Sequence, residues 1–180
     1  MNVHRIFFTW ELPDSPLAAL KADPQFDLRI WSKEDPPLKE EICREAKQSD
    51  ALVSLLSDPI DREVLSNFKG RLVAQYAVGV DNVDLKAATE LGISITNCPG
   101  VLTQSTADLT WALLLAVARR IKEADEYVRK GLWKIPWGPK MLLGVELAEK
   151  TLGIIGLGRI GEAVAMRARG FGMKVLYSSR

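Results

Sequence analysis

Leu152-Gly153-Ile154-Ile155-Gly156-Leu157-Gly158-Arg159-Ile160-Gly161 runs from a short apolar segment of strand character into a G-x-G-x-x-G loop. Glu162 to Arg169 continues as a good helix former, Gly170 and Gly172 stop it, and Lys174-Val175-Leu176-Tyr177 reads as the next strand. Strand, glycine loop, helix and strand in this order are the context that a dinucleotide fingerprint requires. Gly156 permits the tight turn, Gly158 leaves no Cβ where a pyrophosphate approaches, and Gly161 lets helix and strand pack closely. The helix N-terminus then offers unpaired N–H groups to phosphate. Without a ligand the same residues would be an ordinary glycine-rich turn.

The end of the second strand selects the nucleotide. An NAD site places Asp or Glu about 20 residues beyond the loop, where it accepts hydrogen bonds from the adenosine ribose. Here no acidic residue occurs between Ala163 and Arg180, and the position carries Ser178-Ser179-Arg180. A hydroxyl and a guanidinium suit a 2′-phosphate, so NADP is the expected cofactor and NAD the second choice.

Upstream, five apolar segments recur about every 20 to 24 residues with helical segments between them, the pattern of a covered parallel sheet. Strands are expected over Val3–Thr9, Phe26–Trp31, Ala51–Leu56, Arg71–Ala77 and Ile93–Thr96. The intervening helices are expected over Ser15–Ala22, capped by Asp14 or Ser15, then up to about Lys47, over Pro59–Asn67, and up to Gly92. Val78-Gly79-Val80-Asp81-Asn82-Val83-Asp84 follows the fourth strand, at the end of the sheet where ligands bind in open α/β folds. The N–H groups of Val78 and Gly79 suit a carboxylate; equally, Asp81, Asn82 and Asp84 suit helix caps.

After the turn Asn97-Cys98-Pro99-Gly100, Thr103, Ser105 or Thr106 can cap a helix that is apolar at Leu109, Ala112, Leu113, Leu114, Leu115, Ala116 and Val117. Apolar on most sides, it is expected to be buried between two domains, and to become charged from Arg119 to Lys130. Gly131-Leu132-Trp133-Lys134-Ile135-Pro136-Trp137-Gly138-Pro139 is neither helix nor strand. It reads as an arm against a second subunit or as a loop folded on its own domain.

Composition narrows the functional classes. The chain has 180 residues, 47% apolar, with a net charge of +1, which gives no reason to expect a nucleic-acid or membrane partner. Cys43 and Cys98 lack metal or redox spacing, and no signal-peptide or spanning run occurs; a cytoplasmic protein without a metal site is expected. His4, the sole histidine, lies on a strand and is expected to be structural or solvent-facing rather than catalytic.

Taken together, Val78–Asp84, Thr96-Asn97-Cys98-Pro99-Gly100-Val101-Leu102-Thr103, Thr106–Leu115, Ala118-Arg119-Arg120, Gly156–Gly161 and Phe171–Tyr177 resemble the D-isomer-specific 2-hydroxyacid dehydrogenases, nearest the glyoxylate/hydroxypyruvate reductase branch. The resemblance covers essentially the whole chain. It implies a flavodoxin-like substrate domain over residues 1–100, an interdomain helix and dimerisation arm over 101–150, and the start of a Rossmann domain over 151–180. It implies a homodimer that reduces a small 2-oxo acid to a D-2-hydroxy acid with NAD(P)H. Val78 and Gly79 would bind the substrate carboxylate, Leu55 would line the cleft, and Trp137 would reach the neighbouring subunit's cleft. Thr106 would approach the cofactor. Gly156, Leu157, Gly158, Arg159, Ile160 and Gly161 would hold its pyrophosphate, and Ser179 with Arg180 its 2′-phosphate. The family's catalytic Arg, Glu and His lie beyond the second Rossmann strand, so no catalytic residue is expected in this chain and the chain alone is expected to be inactive. The sequence is then the N-terminal part of a dehydrogenase. Two alternatives stand beside it, a non-catalytic dimeric binding module and a related dehydrogenase acting on phosphoglycerate or phosphite.

Overall fold

The computed structural model describes residues 3–179, which form two compact units divided at Pro99 and Gly100. In the first unit the strands are β1 (His4–Phe8), β2 (Phe26–Ile30), β3 (Ala51–Ser54), β4 (Leu72–Gln75) and β5 (Ser94–Thr96). All pairings are parallel, in the order β2-β1-β3-β4-β5, the flavodoxin-like arrangement. Helices α1 (Asp14–Ala22), α2 (Lys39–Ala46), α3 (Arg62–Asn67) and α4 (Leu85–Glu90) connect them.

Alternation along the strands makes two cores, because successive side chains leave a strand on opposite faces. Phe7, Leu52 and Val73 pack with Ile42, Val64, Leu65 and Ala87 from α2, α3 and α4. Ile6 and Phe8 pack with Leu17 of α1 on the other face. The strands stop earlier than the apolar runs suggest. After Ser54 the Leu55 N–H turns 2.6 Å to the Asp58 carboxylate, so Leu55 and Leu56 belong to a loop.

The expected caps need correction. The cap position of α1 is Pro13, with no side-chain cap; Asp14 lies inside the helix and pairs with Lys21 at 2.7 Å. Asp84 does cap α4, accepting from the Ala87 N–H at 2.8 Å. Asn82 is no cap and serves a different purpose, described below.

The second unit holds α5 (Thr103–Ala118), α6 (Ile121–Arg129), β6 (Thr151–Ile155), α7 (Arg159–Ala168) and β7 (Lys174–Ser178), with β6 and β7 parallel. Segment 101–150 thus clusters with 151–180 instead of standing apart. Trp111 of α5 is the reason. Its indole donates to the Val164 carbonyl at 3.0 Å and stacks on Phe171 at 4.4 Å and 9°. Asp108 pairs with Arg167 at 2.6 Å, and Arg167 also reaches Gln104.

Three expectations fail in this unit. Thr103, Ser105 and Thr106 do not cap α5, whose cap position is Leu102; the Ser105 hydroxyl instead donates to the Leu102 carbonyl. The helix does not run to Lys130, because Arg120 adopts a left-handed conformation (φ 53°) and α6 starts afresh. Nor is α5 buried throughout: Ala107 and Trp111 are, whereas Leu109, Leu113 and Val117 are 59%, 60% and 80% exposed. Ile155, Leu176 and Tyr177 are exposed on the two-stranded sheet as well.

Candidate functional site

The first constellation lies at the carboxyl ends of β3, β4 and β5. Val78 and Gly79 follow β4, both exposed. Among the described residues their backbone N–H groups have no acceptor, whereas the carbonyls beside them are engaged. The Ala77 carbonyl accepts from the Cys98 N–H at 2.9 Å, and the Val78 carbonyl accepts from Asn97 Nδ2 at 2.8 Å. Leu55, half-buried, heads the loop after β3.

A polar network beneath ties these loops together. Buried Gln75 accepts from the Ser54 hydroxyl at 2.6 Å and donates to Asn82 Oδ1 at 2.8 Å and to the Gly79 carbonyl at 3.4 Å. Asn82 Nδ2 in turn donates to the carbonyls of Leu55 (3.0 Å) and Asp58 (2.8 Å). The Asp58 carboxylate accepts from the Leu55 N–H and the Thr9 hydroxyl. Every buried amide and hydroxyl here has a partner, so the network holds the loops instead of leaving costly unpaired groups. Sequence reading weighs Asn82 as a cap and passes over Gln75, Asp58 and Asn97. The available signal is Gln75 itself, a polar residue inside an apolar strand.

The second constellation is the turn from β6 into α7. Gly156 has φ +92°, a left-handed backbone that strains any residue with a side chain. A Cβ at residue 161 would collide with the Gly156 carbonyl, whereas one at Gly158 would meet nothing within 4 Å. Gly158 is also the cap position of α7 and supplies no side-chain cap. The first N–H groups of a ten-residue helix therefore face open space with positive potential. A cleft of about 470 Å³, lined by Ile155, Gly156, Ser178 and Ser179, adjoins this turn. The shape fits a dinucleotide pyrophosphate: a backbone cradle is open where the phosphates need it and glycine is obligatory where helix meets strand. Leu157 is half-buried, while Arg159 and Ile160 are exposed on the first turn of α7. Thr106 lies on the second turn of α5. Arg180, expected at the 2′-phosphate, lies outside the described residues.

Two further expected positions are Trp137 and His4. Trp137 is 75% exposed and Trp133 56%, so the arm does not bury its indoles against its own unit. His4 is exposed on β1. No group of three or more His, Cys, Asp or Glu suited to a metal occurs among the described residues. No described helix is long and apolar enough to cross a membrane.

The chain is similar to known proteins along nearly its whole length. A glyoxylate reductase of Korarchaeum cryptofilum is 56% identical over 174 residues, 96% of this chain and 52% of the relative. The crystal structure of the TT0316 protein from Thermus thermophilus superposes with a TM-score of 0.91 at 47% identity, covering 98% of this chain and 56% of that one. An acyclic imino acid reductase, Bsp5, in complex with NADPH and D-Arg superposes with a TM-score of 0.82 at 27% identity, over 98% of this chain and 56% of that chain. The chain thus spans about half the length of the relatives it matches. The family model for the catalytic domain of D-isomer specific 2-hydroxyacid dehydrogenases matches residues 6–166, and the chain belongs to that family.

Proposed function

We propose that the chain is the N-terminal part of an NADPH-preferring reductase of glyoxylate or hydroxypyruvate, forming glycolate or D-glycerate. The observation that carries it is the uncapped start of α7 at Gly158, opening beside a cleft whose lining includes no acidic side chain among the described residues. The likeness to glyoxylate reductases supports the substrate class.

The family works with a nicotinamide dinucleotide, which when bound supplies a hydride to the carbonyl carbon of the 2-oxo acid. In this chain Leu157 to Ile160 hold the pyrophosphate through backbone N–H groups, between Gly156, whose own N–H donates to the Ser178 carbonyl, and Gly161. Thr106 approaches the cofactor, and Ser179 with Arg180 takes the 2′-phosphate. Val78 and Gly79 hold the substrate carboxylate, and Leu55 limits the substrate's size. The proton that converts the carbonyl oxygen to hydroxyl comes from residues beyond this chain, since reduction needs a donor beside that oxygen. The active form is a homodimer in which Trp137 reaches the neighbouring subunit.

Titration of the purified chain with NADPH and with NADH, followed by nicotinamide fluorescence, tests this. Saturable binding, tighter for NADPH, is expected, without glyoxylate-dependent oxidation of NADPH. Lack of association with either coenzyme overturns the cofactor site. Steady turnover by the chain alone overturns the placement of the proton donor elsewhere.

A further inference from the structure

Strand β2 lies at the edge of the first sheet, and strand alternation places Asp27 and Arg29 on one of its faces. Arg5 of β1 stands opposite Asp27 in the register. Glu45 in the last turn of α2 and Gln48 just beyond it close the other side. These five residues line a cavity of about 350 Å³, and each is charged or an amide.

Three of the five are tied to one another. Arg5 Nε donates to the Asp27 carboxylate at 2.9 Å, and Arg5 Nη1 donates to Gln48 Oε1 at 3.1 Å, so one wall is a fixed ion pair. The other two are not. Arg29 Nε stands 3.8 Å from Glu45 Oε2, too far for a hydrogen bond. Arg44 Nε is equally far from Glu45 Oε1. Among the described residues the Glu45 carboxylate accepts no hydrogen bond and the Arg29 guanidinium donates none. The Glu45 side chain is nevertheless only 15% exposed. A carboxylate so shielded ordinarily has donors of its own. Glu45 therefore presents an unmet acceptor to the cavity, beside the unmet donor fork of Arg29.

We propose that this cavity binds a small α-amino acid, whose carboxylate takes the Arg29 fork while its ammonium donates to Glu45. Each ligand charge needs the other. A simple anion on Arg29 would be repelled by Glu45, and a simple cation on Glu45 would be repelled by Arg29 and Arg44. An α-amino acid carries both charges on one carbon, about 3 Å apart, close to the spacing of Arg29 and Glu45. Its carboxylate can accept two parallel bonds from a guanidinium, and its ammonium brings three donors to a carboxylate that has none. Gln48 adds a further donor. Its Oε1 is committed to Arg5, whereas its Nε2 has no partner among the described residues. The like charges that a wrong ligand would meet make the site selective as well as attractive.

The test is a titration of the ¹⁵N-labelled chain with glycine, L-alanine and L-serine, reading backbone amide shifts at constant ionic strength. Sodium acetate and methylammonium chloride, which carry one charge each, are the controls. Saturable shifts at Asp27, Arg29, Glu45 and Gln48 are expected with at least one of the amino acids and with neither control. Arg29→Ala and Glu45→Gln should each lower that affinity by roughly tenfold or more, the size expected for a lost charged hydrogen bond. Arg29 is 67% exposed and Gln keeps the shape of Glu45, so the thermal midpoint of both variants should stay near that of the unaltered chain. Glu45→Gln serves alone if the Arg29 variant is poorly folded. The proposal is overturned if none of the three amino acids gives a saturable shift. It is equally overturned if acetate or methylammonium does as well as the amino acid, or if the folded variants bind as tightly as the unaltered chain.

Discussion

The Gly156 carbonyl occupies the space in which a Cβ of residue 161 would stand. The third glycine of the loop is thus a packing requirement, set by the start of α7 lying against the end of β6. Gly158 carries no such requirement, because the space beside it is open. The two positions consequently separate stability from binding. Gly161→Ala is expected to lower stability by about 1–3 kcal/mol through overpacking against backbone, visible as a drop in thermal midpoint without any ligand. Gly158→Ala is expected to leave the midpoint nearly unchanged and, on the proposed cofactor site, to weaken NADPH binding at least tenfold, since the methyl would enter the space proposed for the pyrophosphate. If both variants lose stability equally, the division of labour assigned to the two glycines is wrong.

Trp111 joins α5 to α7 and explains why residues 101–150 cluster with the glycine loop. Its indole is 4% exposed, stacked on Phe171 and hydrogen-bonded to the Val164 carbonyl. Trp111→Ala is expected to cost about 3–5 kcal/mol and Trp111→Phe, which keeps the stack but loses the donor, roughly 1 kcal/mol. Denaturant unfolding with separate probes for the two units measures both. A loss spread equally over the two units' signals would contradict the assignment of Trp111 to the second unit's core.

Much of this architecture is legible in the residues. Phe7, Leu52 and Val73 alternate with Ile6, Phe8 and Val53, which announces strands covered on both faces. Gly156, Gly158 and Gly161 announce the loop because each has a distinct backbone task. What escaped has more than one cause. Leu55 leaves the strand because Asp58, three residues on, accepts its N–H, a competition that an apolar run hides, whereas the Val78 carbonyl is held by Asn97, 19 residues away in sequence. The break at Arg120 is a left-handed residue that is not glycine, so no local signal marks it. The exposure of α5 misled for a different reason: an apolar stripe says that a face is suited to burial, not which chain covers it.

Asp50 predicts how the first unit responds to acid. The Arg5 backbone N–H at 2.9 Å, and then Lys69 at 3.0 Å, hold its carboxyl below the usual carboxylate range. A lowered folded value means its stabilising contribution is fully present above the unfolded value, about 3.9. That contribution is lost as pH falls through the lowered folded value. Asp50→Asn keeps an acceptor for Arg5 but cannot titrate. The variant is expected to cost less than about 1 kcal/mol at pH 7 and to show a shallower loss of stability as pH falls below the unfolded carboxylate value of about 3.9. Parallel pH–stability curves for the two proteins would show that Asp50 carries no acid sensitivity.

The apolar surface of the second unit predicts self-association. Helix α6 buries no residue, Ile121 and Val128 are exposed on it, and Leu109, Leu113 and Val117 are exposed on α5. Trp133, Ile135 and Trp137 add an exposed, Pro/Gly-rich arm. Exposed aromatic residues in such a setting are the usual anchors of an interface, where one or two of them carry most of the affinity. A homodimer is therefore expected by analytical ultracentrifugation. Trp133→Ala with Trp137→Ala should weaken it by roughly a hundredfold, each truncation costing on the order of 1–2 kcal/mol, while the thermal midpoint of the first unit stays in place. A monomer at every concentration tested, or a dimer indifferent to both substitutions, would remove the arm from the interface and with it the placement of Trp137 in a neighbouring subunit.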